Sequence, residues 1–437
     1  MSTTDHALTL DRTALRAWFP ALASRTAFLE NAGGSQVPGL VADAVAHYMK
    51  TAYVQLGAGY PQSKLADAVT GGAHTFIERL MGGEAEGKVA LGPSTSQLVA
   101  MLAASLAHRI GPGDEIVVAE AGHEANLGPW VRMAEARGAT LRWWRVDPQT
   151  GEASLDALDE LLNERTKVVS VVHVSNVLGE ILDLRELCDR VHASTPARVV
   201  ADGVAYAPHR AMEVESWGVD WYVYSTYKVF GPHMAALWGR VDAWAELESP
   251  YHYFIPKTEV PYAFEVGGVD HEGCAGLLAL APYLAAMAAM ARGTSPNPPP
   301  HPGEAPDLEE LLEQAAALPR ADVLDAFDLM EALERPLVRR LLEWLSERSG
   351  VRVLGPATED RNRVGTVAFV VDDRPSSELV AAAHARDVAI RHGHVYAHRL
   401  VTALGIDPDE GPVRVSLVHY NTPEEIERVV DALGPEL

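Results

Sequence analysis

Apolar and polar positions follow two alternating patterns between about residue 88 and residue 240. Short apolar runs predict strands, and longer runs with apolar residues three or four positions apart predict the helices between them. A regular alternation of strands and helices favours a mostly parallel sheet with helices on both faces. The strand candidates are Glu115–Ala119, Thr140–Val146, Val168–Val174, Val199–Ala201 and Trp221–Tyr224, and the helix candidates are Gln97–Arg109, Asn126–Arg137 and Leu155–Asn163.

The proline-rich run Gly293–Gly303 interrupts this pattern and predicts a domain boundary. After it, a helix from about Leu324 to Ser349, strands at Gly365–Val371 and Val413–Val418, and a helix at Pro423–Leu433 predict a smaller α+β domain. We therefore expect an N-terminal arm at 1–25 that packs with the small domain, a large domain at 26–292, a proline-rich and acidic linker insertion at 293–320, and a small domain at 321–437.

Composition narrows the class of protein. The 437 residues include 36 basic and 60 acidic side chains, and the net charge of −24 repels nucleic acid and anionic membranes, so we expect neither as a partner. The two cysteines, Cys188 and Cys274, have no metal or redox spacing, as expected in a reducing cytoplasm. The first residues lack a signal-peptide pattern, and the apolar stretch Ala275–Ala291 predicts a buried helix. We expect a cytoplasmic protein.

Two charged residues stand at the ends of apolar runs. Asp202 ends the run that begins at Arg198, and Lys228 ends the strand-like stretch that begins at Asp220. Sheets of this kind bind ligands at the carboxyl ends of their strands, where both side chains are expected. A lysine can form a Schiff base with the aldehyde of pyridoxal phosphate, and an acid can keep the pyridine nitrogen protonated. The pair predicts a pyridoxal phosphate site.

The run Gly92–Ser96 leads directly into a predicted helix. Hydroxyl groups and free backbone N–H groups at a helix start can bind the cofactor phosphate. Helix capping is the simpler explanation for a Ser-Thr pair in this position. Together with the lysine and the acid, the run favours phosphate binding.

Three further residues are candidates for the site. His123 follows a strand and can stack on the pyridine ring and assist proton transfer as a catalytic residue, or it can simply begin a helix. Asn176 follows another strand and can donate to the cofactor phenolate or to a substrate carboxylate, or it can serve as a turn residue. Arg414 lies in an apolar strand and needs an anion, which is either a substrate carboxylate or a structural ion-pair partner.

Histidines cluster near the predicted small-domain strands, at His392, His394 and His398. No carboxylate or cysteine of ligand spacing accompanies them, so we expect no metal site.

Taken together, these runs resemble the class V aminotransferases of fold type I, and within them the cysteine desulfurase-like branch. The resemblance implies an α/β large domain with a mostly parallel, seven-stranded-type sheet, a smaller C-terminal α+β domain, and a homodimer whose active sites are shared. The motifs that carry it extend over essentially the whole chain: Phe28–Gln36, His123–Asn126 with Pro129-Trp130, His173–Gly179, Asp202-Gly203, Ser225–Lys228 with Gly231-Pro232, and Val413–Thr422.

The resemblance also implies a role for each motif residue. Lys228 would be the Schiff-base lysine, Asp202 the partner of the pyridinium, and His123 the stacking residue. The other implied assignments are Thr95, Ser96 and Ser225 at the phosphate, Asn176 and Tyr227 beside the cofactor, Arg414 with Asn176 and Arg391 at the substrate carboxylate, and Tyr60 in the neighbouring subunit's pocket.

One departure from the family pattern bears on the reaction. Cysteine desulfurases carry Arg-x-Gly-x-x-Cys in a mobile loop, and that cysteine forms a persulfide. The matching run here is Arg391–Tyr396, with Tyr396 in the place of the cysteine. Ala205 replaces a family glutamine, Tyr227 a histidine, and Gly268 a threonine that reaches the neighbouring subunit's phosphate.

The sequence therefore predicts a pyridoxal phosphate enzyme that acts on an L-amino acid without forming a persulfide. We expect a lyase that eliminates a β-substituent, such as a thiol, with Tyr396 or His394 as the acid at the leaving group. An aminotransferase, a racemase or epimerase, and a non-catalytic cofactor-binding protein remain alternatives.

Overall fold

The computed structural model describes residues 10, 12–294, 296, 298–299, 305–358 and 361–437. Its strands and helices follow the alternation read from the apolar pattern. The strands are β1 (Ala27–Phe28), β2 (Gly87–Gly92), β3 (Glu115–Ala119), β4 (Thr140–Trp144), β5 (Thr166–Val172), β6 (Arg198–Asp202), β7 (Trp221–Ser225), β8 (Ala235–Arg240), β9 (Val351–Leu354), β10 (Thr366–Val371), β11 (Val388–Ala389), β12 (Arg391–His392) and β13 (Val413–Ser416).

Helices cover the strands and fill the connections between them. They are α1 (Arg12–Arg16), α2 (Gly39–Thr51), α3 (Pro61–Met81), α4 (Thr95–Leu106), α5 (Glu124–Arg137), α6 (Leu155–Asp159), α7 (Leu184–Ser194), α8 (Val214–Trp217), α9 (Val241–Trp244), α10 (His271–Leu278), α11 (Leu280–Ala291), α12 (Leu308–Ala317), α13 (Arg320–Ser346), α14 (Ser376–His384), α15 (His398–Ala403) and α16 (Pro423–Leu433).

The main sheet has seven strands in the order β2-β8-β7-β6-β5-β3-β4. Only β8 runs antiparallel to its neighbours, so β2 has the same direction as β7. The central strands β5 to β7 are almost entirely buried, because helices cover both faces of the sheet. The carboxyl ends of β2, β3, β5, β6 and β7 consequently meet at one edge, where the candidate residues lie.

A smaller sheet, in the order β12-β13-β10-β9, is antiparallel and packs against α13, α14 and α16. The short strand β1 pairs in parallel with β11, which places the chain around residue 28 beside the C-terminal elements. Arg12 and Arg16 donate to backbone carbonyls of 419–421 and so hold the N-terminal segment there as well. Residues 1–9 and 11 of the expected arm, and 295, 297 and 300–304 of the expected linker, lie outside the described residues. The domain boundaries stay a prediction.

The differences from the sequence-based elements have local causes. The strand before Lys228 ends at Ser225, and the lysine lies on a 3-10 turn, Thr226–Lys228. The strand before Asn176 ends at Val172, four residues earlier than the amide. Helix α4 begins two residues before the predicted start, because Ser94 caps it by accepting from the Gln97 N–H. The edge strand β2 and the antiparallel β8 were not predicted.

The apolar stretch from His271 to Ala291 is long enough to cross a membrane by length and composition alone. In its most apolar window 78% of the residues are buried inside the protein, as in a core helix. It is divided into α10 and α11, which pack between α3, α2 and α13.

Candidate active site

A cavity with about 500 Å³ of empty space opens at the carboxyl edge of the main sheet. The ends of β5, β6 and β7 and the starts of α4 and α5 contribute to its walls. It is lined by Ser94, Thr95, Ser96, His123, Ala125, Val172, Val174, Asn176, Asp202, Val204, Ala205, Ser225, Tyr227 and Lys228. Eight predicted cofactor residues are in this set, so the structure brings them together as the strand-end argument requires.

Lys228 and Asp202 are both buried at this edge. Burial, together with nearby Arg414, lowers the pKa of Lys228 to about 8, while Asp202 and Glu30 oppose the shift. Burial raises the pKa of Asp202 to about 6, against the Val204 N–H that donates to its Oδ1 at 3.0 Å. The lysine is therefore easier to deprotonate than usual, and the acid is still mostly ionised at neutral pH.

Hydroxyl groups gather at the start of α4. Thr95 Oγ1 and Ser225 Oγ are 2.7 Å apart and buried, which joins the helix start to the end of β7. Ser94 is the N-cap of the helix, which confirms the capping interpretation; the run also lines the cavity, and its binding of a phosphate stays a prediction. Free N–H groups in the first turn of a helix favour an anion, and Asp202 is the one acidic side chain among the described residues that line this cavity.

His123 begins α5 and also lines the cavity. Its Nδ1 accepts from the Ala125 N–H at 3.1 Å, so its position as helix cap fixes the ring. Burial, with the positive charges of Lys228 and Arg414, lowers the pKa of His123 to about 4. A neutral ring held at the cavity wall is suited to stacking on a flat cofactor.

Asn176 connects the cavity to the loop that follows β12. Its Nδ2 donates to the Val395 carbonyl at 2.8 Å, while its buried Oδ1 has no partner among the described residues. Val395 and Tyr396 adopt positive φ values of 41° and 63°, so the loop turns sharply at this tether. Tyr396 is 60% exposed, with its ring centre 5.2 Å from that of His123, beside the cavity rather than in its wall.

Arg414 is buried in β13 behind Asn176 and has a protein carboxylate as its partner. Its Nη2 donates to Glu30 Oε1 at 3.1 Å, and its Nη1 donates to the Asn176 carbonyl at 3.2 Å. The structural ion pair that was the alternative for this arginine is thus present. Arg391, across from it on β12, also approaches Glu30, at 3.7 Å.

Five residues proposed for the substrate or the acid do not line the cavity within the described chain: Tyr396, His394, Arg391, Arg414 and Tyr60. Tyr60 is 44% exposed at the start of α3, and its role in a neighbouring subunit's pocket stays a prediction. Tyr227 lines the cavity and stacks on His233, with ring centres 4.2 Å apart.

Sequence reasoning missed Glu30 as a participant. The available signal was electrostatic, because a buried arginine requires an anion and the motif Phe28–Gln36 contains one acid. The alanines at 125 and 205 were also not predicted as cavity walls, since small apolar side chains have no distinctive signal.

His392, His394 and His398 do not converge with other ligands. His392 Nδ1 contacts the Glu410 carbonyl at 2.9 Å, and the described residues contain no group of three histidine, cysteine or acidic side chains that could hold a metal ion.

The donor set fits pyridoxal phosphate. A buried lysine, a buried strand-end carboxylate, a neutral histidine and hydroxyls at a helix start surround one cavity. The unpartnered Oδ1 of Asn176 adds a buried polar atom beside it that the protein does not satisfy.

Comparisons with known proteins agree with this geometry. The chain is 35% identical over 427 residues to the aminotransferase-like protein FGM3 of Gibberella zeae, with 96% of each chain covered. It is 29% identical over 430 residues to the cysteine desulfurase-like protein ustD of Aspergillus flavus, covering 95% of this chain and 88% of that protein. The fold resembles the apo cysteine desulfurase of Thermococcus onnurineus NA1, with a TM-score of 0.79, 24% identity and 96% of both chains covered.

The family model described as aminotransferase class V matches residues 27–292 and 320–429. The matched segments contain every residue that lines the cavity. They confirm the predicted family and the fold type I architecture with its seven-stranded sheet. The chain belongs to the class V aminotransferase family, as a cysteine desulfurase-like enzyme whose cofactor is pyridoxal phosphate.

Proposed function

We propose that this enzyme eliminates a β-substituent, such as a thiol, from an L-amino acid and forms no persulfide. The observation that carries the proposal is the absence of a thiol at the site. Of the two cysteines in the chain, neither lines the cavity, and the loop that holds the nucleophilic cysteine in desulfurases presents Tyr396 instead.

The environments of the two cysteines support this choice. Cys188 in α7 and Cys274 in α10 are both fully buried. Burial raises the pKa of each thiol well above its ordinary value, with nearby acids adding to the shift. A thiol attacks sulfur only as a thiolate on an accessible surface, and neither cysteine meets that requirement.

The remaining residues suit proton transfer. Bound pyridoxal phosphate supplies an electron sink for a carbanion at the substrate Cα. Lys228, with its pKa near 8, can take the Cα proton once its Nζ is free. Asp202, ionised at neutral pH, provides the negative charge that a protonated pyridine nitrogen requires.

Elimination also needs an acid near the leaving group. Tyr396 lies beside the cavity, next to His123, and the His394 Nδ1 accepts from the Tyr396 backbone N–H at 3.0 Å. The loop is fixed to the cavity wall by the Glu124 N–H, which donates to the Tyr396 carbonyl at 2.9 Å. Tyr396 or His394 would therefore donate the proton to the leaving group.

Transamination is the second candidate, because it begins with removal of the same proton. The observation in its favour is the similarity to an aminotransferase-like protein over nearly the whole chain. Transamination differs from elimination because Lys228 would return the proton to the cofactor, and no group would leave the substrate.

A cysteine-free enzyme tests the proposal directly. Cys188→Ala and Cys274→Ala are combined, and holoenzyme is incubated with a panel of L-amino acids that carry β-substituents, including L-cysteine. We expect ammonia and keto acid to form at the wild-type rate, with no protein-bound persulfide in either form. Loss of turnover in a folded cysteine-free enzyme would contradict the proposal.

We also propose a homodimer in the cytoplasm. Two exposed side chains, Tyr60 and Val266, lie at or near the two positions that the family resemblance links to the neighbouring subunit, Tyr60 itself and Gly268. Sedimentation analysis should give twice the 47.1 kDa chain mass, and an active monomer would exclude the shared site. Cell fractionation tests the location.

A further inference from the structure

A carboxylate of the protein already contacts the arginine that is expected to bind a substrate carboxylate. Glu30 Oε1 lies 3.1 Å from Arg414 Nη2 and 3.7 Å from Arg391 Nη1. The two arginines are cross-strand neighbours on β12 and β13. One carboxylate therefore lies between two guanidinium groups, beside the cavity residue Asn176.

We propose that Glu30 is an internal competitor for Arg414. It holds the guanidinium in the substrate-free enzyme and moves onto Arg391 when the α-carboxylate of an amino acid binds Arg414. The inference rests on the proposed amino-acid chemistry and names a residue that sets substrate affinity. Glu30 is a positioning residue in this account, because it acts through Arg414.

The burial of the three side chains permits this exchange. The Arg414 side chain is 3% exposed and is also held by the Asn176 carbonyl, so it stays in place. The side chains of Glu30 and Arg391 are 32% and 50% exposed, so both can move at the surface. The Arg414 Nε is buried and has no partner among the described residues, which leaves a second N–H for a bidentate carboxylate.

Gly33 provides the space that the Glu30 carboxylate occupies. A Cβ at position 33 would lie 2.2 Å from Glu30 Oε1 and 2.5 Å from Oε2. The backbone there does not have a positive φ, so a side chain is excluded by the carboxylate and not by strain. Gly33→Ala should therefore displace the carboxylate from Arg414 without removing its charge.

The competing explanation makes the opposite prediction. If Glu30 only orients Arg414, its loss leaves a poorly placed arginine, and carboxylate ligands bind more weakly. If Glu30 competes, its loss leaves a buried cation without a counter-charge, and an incoming carboxylate binds more tightly. The sign of the change in affinity separates the two.

The experiment titrates holoenzyme with L-alanine, which has an α-carboxylate and no β-leaving group, and follows the cofactor absorption. L-Alaninol, which has the amine without the carboxylate, is the matched ligand. Glu30→Gln and Gly33→Ala are compared with wild type and with Glu427→Gln, a carboxylate variant at the exposed Arg340 ion pair. Thermal unfolding confirms that each variant is folded.

We expect Glu30→Gln to lower the Kd for L-alanine about five-fold, with a smaller decrease in Gly33→Ala and unchanged binding of L-alaninol. Unchanged or weaker L-alanine binding in both variants, or equal changes for L-alaninol, would overturn the inference and leave the proposed function intact. No spectral change with either ligand in any protein would overturn the proposed amino-acid chemistry and the inference with it.

Discussion

Three buried charges determine what the cavity can do. Lys228, Asp202 and Arg414 are each less than a tenth exposed, and burial shifts the pKa of each toward its neutral form. Ion pairing offsets part of this cost for Arg414, whose pKa falls only to about 10 beside Glu30. Protein interiors retain such groups where a bound cofactor or substrate completes their interactions.

Asp202→Asn should stabilise the apoenzyme at neutral and higher pH. The ordinary pKa of the carboxyl is 3.8, and the folded value is about 6. Because folding raises the pKa, ionisation of Asp202 lowers the free energy of unfolding. This loss is absent below about pH 4 and grows as pH rises through 6. We expect a gain of about 1–3 kcal/mol at pH 8 and none at pH 4.

Thermal unfolding of cofactor-free protein measures this difference. Asp431→Asn, at an exposed position on α16, is the control. A lower melting temperature for Asp202→Asn than for wild type at pH 8 would show that burial of the carboxylate is not costly.

At the scale of elements, the site depends on strand ends that meet one helix start. The apolar runs predicted β3, β5, β6 and β7, and parallel pairing then placed Asp202 beside the segment of Lys228. The pattern did not predict the tether from Asn176 to Val395, because a loop contact between residues far apart in sequence has no periodic signal. The Glu30–Arg414 pair, 384 residues apart, was missed for the same reason.

Thr95→Val should weaken cofactor binding. The Thr95 hydroxyl is buried at the start of α4, 2.7 Å from that of Ser225, in the region that we assign to the phosphate. Loss of one hydrogen bond to a charged group should raise the Kd for pyridoxal phosphate about 10-fold or more. Equilibrium binding to the apoenzyme measures it, with the exposed Thr75→Val on α3 as the control. Equal Kd values for Thr95→Val and wild type would mean that the Thr95 hydroxyl serves the structure of the helix alone.

Gly203→Ala should destabilise the end of β6. A Cβ at position 203 would lie 2.0 Å from the Tyr222 hydroxyl. That side chain is fully buried, and its hydroxyl is hydrogen-bonded to His173 Nδ1 at 2.8 Å. Overpacking of this kind costs about 1–3 kcal/mol. Chemical denaturation compares it with Gly71→Ala, where a Cβ on α3 meets nothing within 4 Å and should not destabilise. Equal stability of the two variants would mean that Tyr222 moves without cost.

At the scale of the molecule, the cavity and its surroundings draw on both ends of the chain. The main sheet and the start of α4 line the cavity, while Glu30 from the N-terminal segment, and Arg414 and the Tyr396 loop from the C-terminal segment, lie beside it. The family, the cofactor and the sheet could be predicted from the sequence, since their motifs recur in order. The reaction could not, because elimination and transamination use the same buried groups.

The most direct test follows the absorption of holoenzyme while L-amino acids are added one at a time without keto acid, with Lys228→Ala as the inactive control. Our account predicts that the original cofactor band returns after many turnovers, while ammonia and keto acid accumulate. A stable pyridoxamine form in amounts equal to the enzyme would establish transamination and contradict the proposed elimination.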